Sequence, residues 1–265
     1  MTPLPVVEQP EGLLAFDFDG TLHWPSHEPP VDKRLLQWIQ FLRDKRKMIW
    51  GICTGRSIMH LMEGLAGGCF EFLPDFAITR EREIFFPGKF NRFQADEEWN
   101  KQCEEDHWRL FKSLKPELLA LRGFVEDRLS GEWVEQPGDL AGVVLRQEED
   151  MEALLAEFDR LCGRDSKLGY ERNSIYLRFS HIAYGKGPVL KEISDRCALS
   201  PEQVVACGDN HNDLSMLNPV VTNWPICPSN SVQEVKDQVT AFGGIVADSP
   251  ASEGLVEAFE EIFLS

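Results

Sequence analysis

The segment Asp17-Phe18-Asp19-Gly20-Thr21 sets two carboxylates one residue apart at the end of the apolar run Leu13-Leu14-Ala15-Phe16. A continuous apolar run of this kind reads as a strand buried on both faces, and Gly20 lets the chain turn sharply away from it. A carboxylate so placed, Asp17, can attack a phosphorus atom. A second one two residues on, Asp19, can handle the leaving group's proton. A D-x-D pair alone is common in surface loops; one preceded by a buried strand and followed by Gly-Thr is far more specific. The chemistry these residues suggest is phosphoryl transfer through an aspartate.

Three further groups bear on that chemistry. Thr54-Gly55-Arg56 follows the apolar run 48–53. A hydroxyl and backbone N–H groups at a strand-to-helix turn bind phosphate oxygens, although the same residues would serve equally as a helix cap. Lys186 sits between Gly185 and Gly187. This is not a P-loop, because G-x-x-x-x-G-K-[ST] is absent. Most lysines are solvated surface charges; here Lys186 would supply the local positive charge that the acidic chain otherwise lacks. Gly208-Asp209-Asn210-His211-Asn212-Asp213 follows the apolar run 204–207. Asp209 at a strand end is a ligand for a hard cation, and Mg2+ takes a few carboxylates, waters and phosphate oxygens in an octahedron. Asp213 either reaches the metal through water or caps the next helix. His211 has no second histidine at ligand spacing and reads as a loop residue.

The elements that must position these groups follow from the apolar pattern. Runs 13–17, 48–53, 76–79 and 204–207 read as strands, and residues 35–42 and 58–65 as helices between them, the second ended by Gly67-Gly68. This alternation predicts a parallel sheet with helices on both faces. Asp17, Thr54 and Asp209 then share one edge of the sheet, because the carboxyl ends of the strands form a single crevice. Residues 87–184 are more charged and aromatic. They predict a long helix over 95–121 broken near Pro116, strands at 133–135, 143–146 and 175–179, and an amphipathic helix over 148–162. The expected organisation is a catalytic core of residues 1–86 and 185–265 with an inserted α+β cap at 87–184. Helices are further expected at 188–197, 214–217 and after Ser249-Pro250.

The chain has 265 residues, 43% of them hydrophobic, enough to bury a full core. Its formal charge of −17 argues against nucleic acid and anionic membrane as partners. It also means that any phosphate site must be locally positive. At about 4 Å and an effective dielectric near 20, two like unit charges repel by roughly 4 kcal/mol. Mg2+ and Lys186 would offset this for Asp17 and a phosphate. The seven cysteines form no C-x-x-C pair and read as small buried hydrophobes in a reducing cytoplasm. Residues 1–9 show no signal peptide, and no apolar run approaches the roughly 18 residues needed to span a bilayer.

The four motifs DFDGT, CTGR, GKG and GDNHND, in that order, resemble the haloacid dehalogenase superfamily of phosphohydrolases. The insert before Lys186 is similar to the large cap of subfamily IIB. Residues 75–86 with Glu98-Trp99 are similar to sucrose-phosphate phosphatases and related sugar phosphatases. The resemblance implies a Rossmann-like core. It implies Asp17 as nucleophile and Asp19 as general acid/base, with Thr54, Gly55 and Lys186 holding the transferring phosphoryl group. It implies Mg2+ bound by Asp17, Asp209 and the backbone carbonyl of Asp19, supported by Asn212 and Asp213. Dehalogenases of the superfamily generally lack an acid at the position of Asp19, so its presence favours phosphoryl transfer.

The function expected on this basis is Mg2+-dependent hydrolysis of a small phosphate monoester, a sugar phosphate by class, in the cytoplasm. A phosphomutase shares the core and motifs and returns the phosphoryl group to a hydroxyl instead of water. A non-catalytic binding protein on the same fold is the remaining alternative. Cap arginines (Arg128, Arg146, Arg172, Arg178) and tryptophans (Trp99, Trp108, Trp133) are candidates for substrate contact, with solvation and core packing as their ordinary uses. His23 and Trp24, just after the first motif, could touch a leaving group, although a lone histidine is more often structural.

Overall fold

The structure is a computed structural model that describes residues 6–89, 92–136, 139–163 and 166–264. The expectation for residues 1–9 therefore falls partly outside the described residues. One compact unit is built from the chain up to Asn100 and again from Lys186; a second comprises Lys101–Gly185.

The first unit is built on β1 (Gly12–Phe16), β2 (Met48–Cys53), β3 (Phe76–Thr79), β4 (Glu83–Pro87), β5 (Phe93–Ala95), β10 (Val204–Cys207), β11 (Trp224–Cys227) and β12 (Ile245–Val246). They form one sheet in the order β12-β11-β10-β1-β2-β3-β4-β5. Pairing is parallel from β12 to β3, and β4 and β5 add antiparallel. Both faces are covered, which is why β1 is buried along its whole length. Leu14 and Phe16 pack with α1 (Lys33–Arg46), α2 (Ile58–Gly67) and α8 (Ala251–Leu264). Leu13 and Ala15 pack with α6 (Lys186–Arg196) and α7 (Gln233–Ala241). After β1 the chain moves outward through β2 and β3; β10 returns to the other side of β1 and continues to β11 and β12. The β1/β10 boundary is thus a topological switch point, where an open α/β sheet offers its ligand crevice.

The second unit holds the sheet β6 (Gly131–Gln136), β7 (Asp139–Leu145), β9 (Tyr176–His181) and β8 (Leu168–Asn173), antiparallel in that order. Its core packs Val143, Leu145, Leu177 and Phe179 against Leu121 and Val125 of α4 (Lys115–Arg128) and Met151, Leu154 and Phe158 of α5 (Asp150–Cys162).

Several elements depart from the sequence reading. The helical stretch expected over 95–121 does break near Pro116, into α3 (Glu97–Ser113) and α4, but α4 runs on to Arg128, with Pro116 in its first turn. There its missing N–H costs nothing. Ala95 lies in β5, and the pairing of β4 with β3 and of β5 with β4 keeps the chain in the first unit as far as Asn100. Composition alone places the change at residue 87. Residues 214–217 do not form a helix. A 3-10 turn (His211–Asp213) leads into turns, with Gln238 Nε2 donating to the carbonyls of Leu214 and Leu217. Each of the seven cysteines is free; Cys69 is exposed, while Cys162 and Cys197 are only half-buried. Among the described residues no helix is long and apolar enough to cross a membrane.

Candidate active site

Parallel pairing brings the ends of β1, β2 and β10 together. Phe16 pairs with Ile52 on one side and Cys207 on the other, so Asp17, Thr54 and Asp209 leave adjacent strands at the same edge. Asp17 is anchored by its backbone N–H, which donates to the Cys207 carbonyl at 2.8 Å. The loop after β10 is held by Asp213, whose Oδ2 accepts from the backbone N–H groups of Asp209 and Asn210, both at 2.9 Å. Gly208 makes this fold-back possible: a β-carbon there would lie 2.4 Å from Asp213 Cβ. The cap that Asp213 provides is thus to its own loop.

Three carboxylates, those of Asp17, Asp209 and Asp213, each offer an oxygen within 4.8 Å of the others, and all three residues are buried. Lys186, at the first position of α6 and 0% exposed, donates from Nζ to Asp17 Oδ1 and to Asp213 Oδ1, each at 2.6 Å. Thr21 Oγ1 donates to Asp209 Oδ1 at 2.7 Å. Gly20 turns at φ +85°, and a β-carbon there would stand 2.6 Å from Asp209 Oδ2. The first motif therefore supplies Asp17, the turn that admits Asp209, and the hydroxyl that orients it.

The electrostatics of this cluster are demanding. Burial, followed by repulsion from Asp213, pushes the Asp209 carboxyl up to about 7. Burial likewise raises Asp17 well above the carboxylate range, with Asp213 and Asp209 adding to it and Lys186 opposing. Burial works against a charged Lys186, but Asp17, Asp213 and Glu81 outweigh it and hold the ammonium charged. One buried ammonium faces three buried carboxylates. Like charges this close ionise together only with a cation between them. A hard divalent ion suits the donor set, which is all oxygen; Asp17 and Asp209 are the two whose protonation the ion would relieve. Asp213 is already occupied by Lys186 and two backbone N–H groups.

The remaining expected residues lie as follows. Thr54 is buried; its N–H donates to the Ile78 carbonyl at 2.8 Å, and its Oγ1 accepts from Arg56 N–H at 3.1 Å, which leaves the hydroxyl proton available to a phosphate oxygen. Gly55 follows it beside Glu81, 3.4 Å from a β-carbon placed there. Asn212 donates from Nδ2 to Glu81 Oε1 at 2.8 Å, while its Oδ1 is buried with no hydrogen-bond partner. Asp19 is apart from the acid cluster: its side chain is 46% exposed and accepts two hydrogen bonds from Arg56, at 2.6 and 2.5 Å. Arg56 lies over the Phe18 ring at 4.9 Å and donates to the His60 carbonyl at 3.1 Å.

Two residues not among the predicted site residues belong here. Glu81, buried in the turn between β3 and β4, ties Asn212 to the site and acts on Lys186. It follows a third strand at the same edge, a signal that was available. Arg56 belongs to the Thr54-Gly55-Arg56 turn, and pattern alone does not reveal its pairing with Asp19.

Comparison with known proteins agrees with this geometry. A family model described as haloacid dehalogenase-like hydrolase matches residues 128–259, which include Lys186, Asp209 and Asp213. Kanosamine-6-phosphate phosphatase of Bacillus subtilis (strain 168) is 25% identical over 279 residues, covering 98% of this chain and 95% of that one. Among solved structures, the sucrose-phosphatase of Synechocystis sp. PCC6803, in complex with sucrose and phosphate, superposes with a TM-score of 0.72 at 18% identity, over 95% of this chain and 98% of that one. A sugar phosphatase of haloacid dehalogenase subclass IIB gives a TM-score of 0.64 at 17% identity, over 96% and 100%. These two likenesses establish the fold.

The chain is an enzyme of the phosphoric monoester hydrolase class. Over residues 128–259 it is similar to the haloacid dehalogenase-like hydrolases.

Proposed function

We propose that this hydrolase is a Mg2+-dependent phosphatase of a small phosphorylated sugar, working through an aspartyl-phosphate on Asp17. The observation that carries the reading is the convergence of Asp17, Asp209 and Asp213 within 4.8 Å, with Lys186 bonded to two of them. A sugar ester is supported by the names of two relatives, a kanosamine-6-phosphate phosphatase and a sucrose-phosphatase. The inserted unit is assigned the role of cap.

Mg2+ held by Asp17, Asp209 and the Asp19 carbonyl, with Asn212 and Asp213 in support, would neutralise the anionic site and the phosphate. The other roles fall to side chains. Lys186 restrains Asp17 through Oδ1 and, with Thr54 and the Gly55 backbone, binds the phosphoryl oxygens. A carboxylate oxygen of Asp17 forms the bond to phosphorus as the ester P–O bond breaks. The electron pair of that bond goes to the leaving oxygen, which takes a proton from Asp19. Water then attacks phosphorus, loses its proton to Asp19 and frees Asp17. Arg56 holds both oxygens of Asp19, so each proton transfer requires this pair to loosen. Positioning and charge stabilisation supply most of the rate.

The test is a phosphate-release screen over phosphorylated sugars, polyols and nucleotides with Mg2+ present. Release from a sugar phosphate, lost with chelator and restored by Mg2+, is expected. Isomer formation without release of phosphate would identify a mutase, and inertness toward every ester would overturn the assignment.

A further inference from the structure

A cavity of about 350 Å³ opens in the first unit, with His23, Arg56, Glu63, Pro25 and Pro30 among its walls. Arg56 both lines it and grips Asp19, so one wall of the cavity is bonded to the group assigned to protonate the leaving oxygen. His23 is locked to the first motif. Its N–H donates to the Phe18 carbonyl at 2.8 Å, its carbonyl accepts from Gly20 N–H at 3.0 Å, and its ring stacks on Phe18 with centroids 4.9 Å apart.

His23 is 6% exposed, and its ring Nδ1 is buried with no hydrogen-bond partner. A buried N–H without an acceptor is rarer and costlier than a bare lone pair. The ring therefore carries its proton on Nε2, the nitrogen left to donate, and His23 lines the cavity. A polar side chain this buried, rigidly stacked and half unpaired is costly to keep unless something else completes it.

We propose that this cavity is a subsite for the hydroxyl-bearing leaving group, in which His23 is a specificity-determining residue donating Nε2–H to a sugar oxygen and Glu63 accepts from a neighbouring hydroxyl or ammonium. The proposal rests on the phosphatase reading. A pocket that hydrogen-bonds a substrate hydroxyl discriminates strongly against an ester that lacks it, because the buried partner is then left unpaired.

The test compares wild type with His23→Phe, which keeps the ring and stack but has no donor, and with His23→Gln, whose amide nitrogen reaches the Nε2 position. The readout is the ratio of kcat/KM for hexose 6-phosphates (glucose, glucosamine, mannose and fructose) to kcat/KM for phenyl phosphate, which carries no hydroxyl. His23→Phe should lower that ratio about tenfold or more, and His23→Gln should restore it to within about threefold. Should His23→Phe lack a cooperative melt, His23→Asn takes its place, since its amide reaches only the Nδ1 position; it should lose the ratio while Gln keeps it. An unchanged ratio in the donor-free variant, or equal ratios for Asn and Gln, overturns the subsite. So does a wild-type enzyme that hydrolyses phenyl phosphate no less well than any hexose phosphate, and in that case phosphoryl transfer stands. Hydrolysis of neither class removes the phosphatase reading and the subsite with it.

Discussion

The acid cluster makes the stability of the metal-free protein depend on pH in an unusual direction. Asp209 is moved from the ordinary 3.8 to about 7, chiefly by burial. Between those values the folded protein holds a proton that the unfolded chain releases. A group whose folded pKa is raised stabilises below its unfolded pKa, and that contribution is lost as pH rises through the folded pKa. At roughly 1.36 kcal/mol per pH unit, the window from about 4 to about 7 is worth about 4 kcal/mol. Asp17, raised by the same burial, acts in the same direction, and the proton belongs to the pair. Histidines 23 and 181, which burial lowers, act in the opposite sense nearer pH 6, so the comparison that isolates the cluster is wild type against Asp209→Asn.

Thermal melts with chelator from pH 4.5 to 8 measure it. For a chain of this size about 1 kcal/mol corresponds to roughly 2–4 °C. Relative to Asp209→Asn, the wild type should therefore lose on the order of 8–16 °C across the window. Saturating Mg2+ should remove most of that loss at pH 8 and do little at pH 4.5, where the carboxyls are protonated. A wild-type minus Asp209→Asn difference that stays flat with pH, or grows in favour of wild type, would refute the account of the cluster.

Three substitutions probe the other parts of the site. Asp17→Asn should reduce turnover by roughly 10⁴-fold or more with a cooperative melt intact; substantial residual activity in a steady-state assay would remove Asp17 as the nucleophile. Lys186→Met strips the counter-charge from two buried carboxylates. It should cost about 3–5 kcal/mol in denaturant unfolding, part of it recovered in the Lys186→Met/Asp17→Asn double variant; additivity of the two would contradict the direct bond. Gly20→Ala forces a left-handed residue and drives a β-carbon toward Asp209 Oδ2. Calorimetric titration with Mg2+ should show weaker binding by tenfold or more, and an unchanged affinity would show that the turn tolerates a side chain.

Much of this site could be read from the chain because it is built on backbone topology. Each of β1, β2 and β10 is a nearly unbroken apolar run, and each ends at a residue type that stands out against it: Asp17, Thr54, Asp209. Burial on both faces fixes the strand, parallel order fixes the shared edge, and convergence follows. What depends on long side chains was not legible. Arg56 could have faced solvent or substrate, and only the fold brings it to Asp19. Glu81 looks like an ordinary turn acid until β3 is placed beside β2. In the second unit β8 is not legible in the sequence because Tyr170, Glu171, Arg172 and Asn173 are polar, and their pairing comes from β9, not from their own pattern. Residues 214–217 have the letters of a helix, yet Gln238 takes two of their carbonyls, and Asn218-Pro219 ends the run.

The central claim is that Asp17 carries the phosphoryl group between ester and water. Rapid quenching of the enzyme with a turned-over sugar phosphate and Mg2+, followed by peptide mass spectrometry, tests it directly. The account predicts one added phosphoryl group on Asp17, appearing before steady-state phosphate and absent when chelator replaces Mg2+. A phosphoryl group on another residue would contradict it. So would first-turnover phosphate that forms while Asp17 stays unphosphorylated at every quench time.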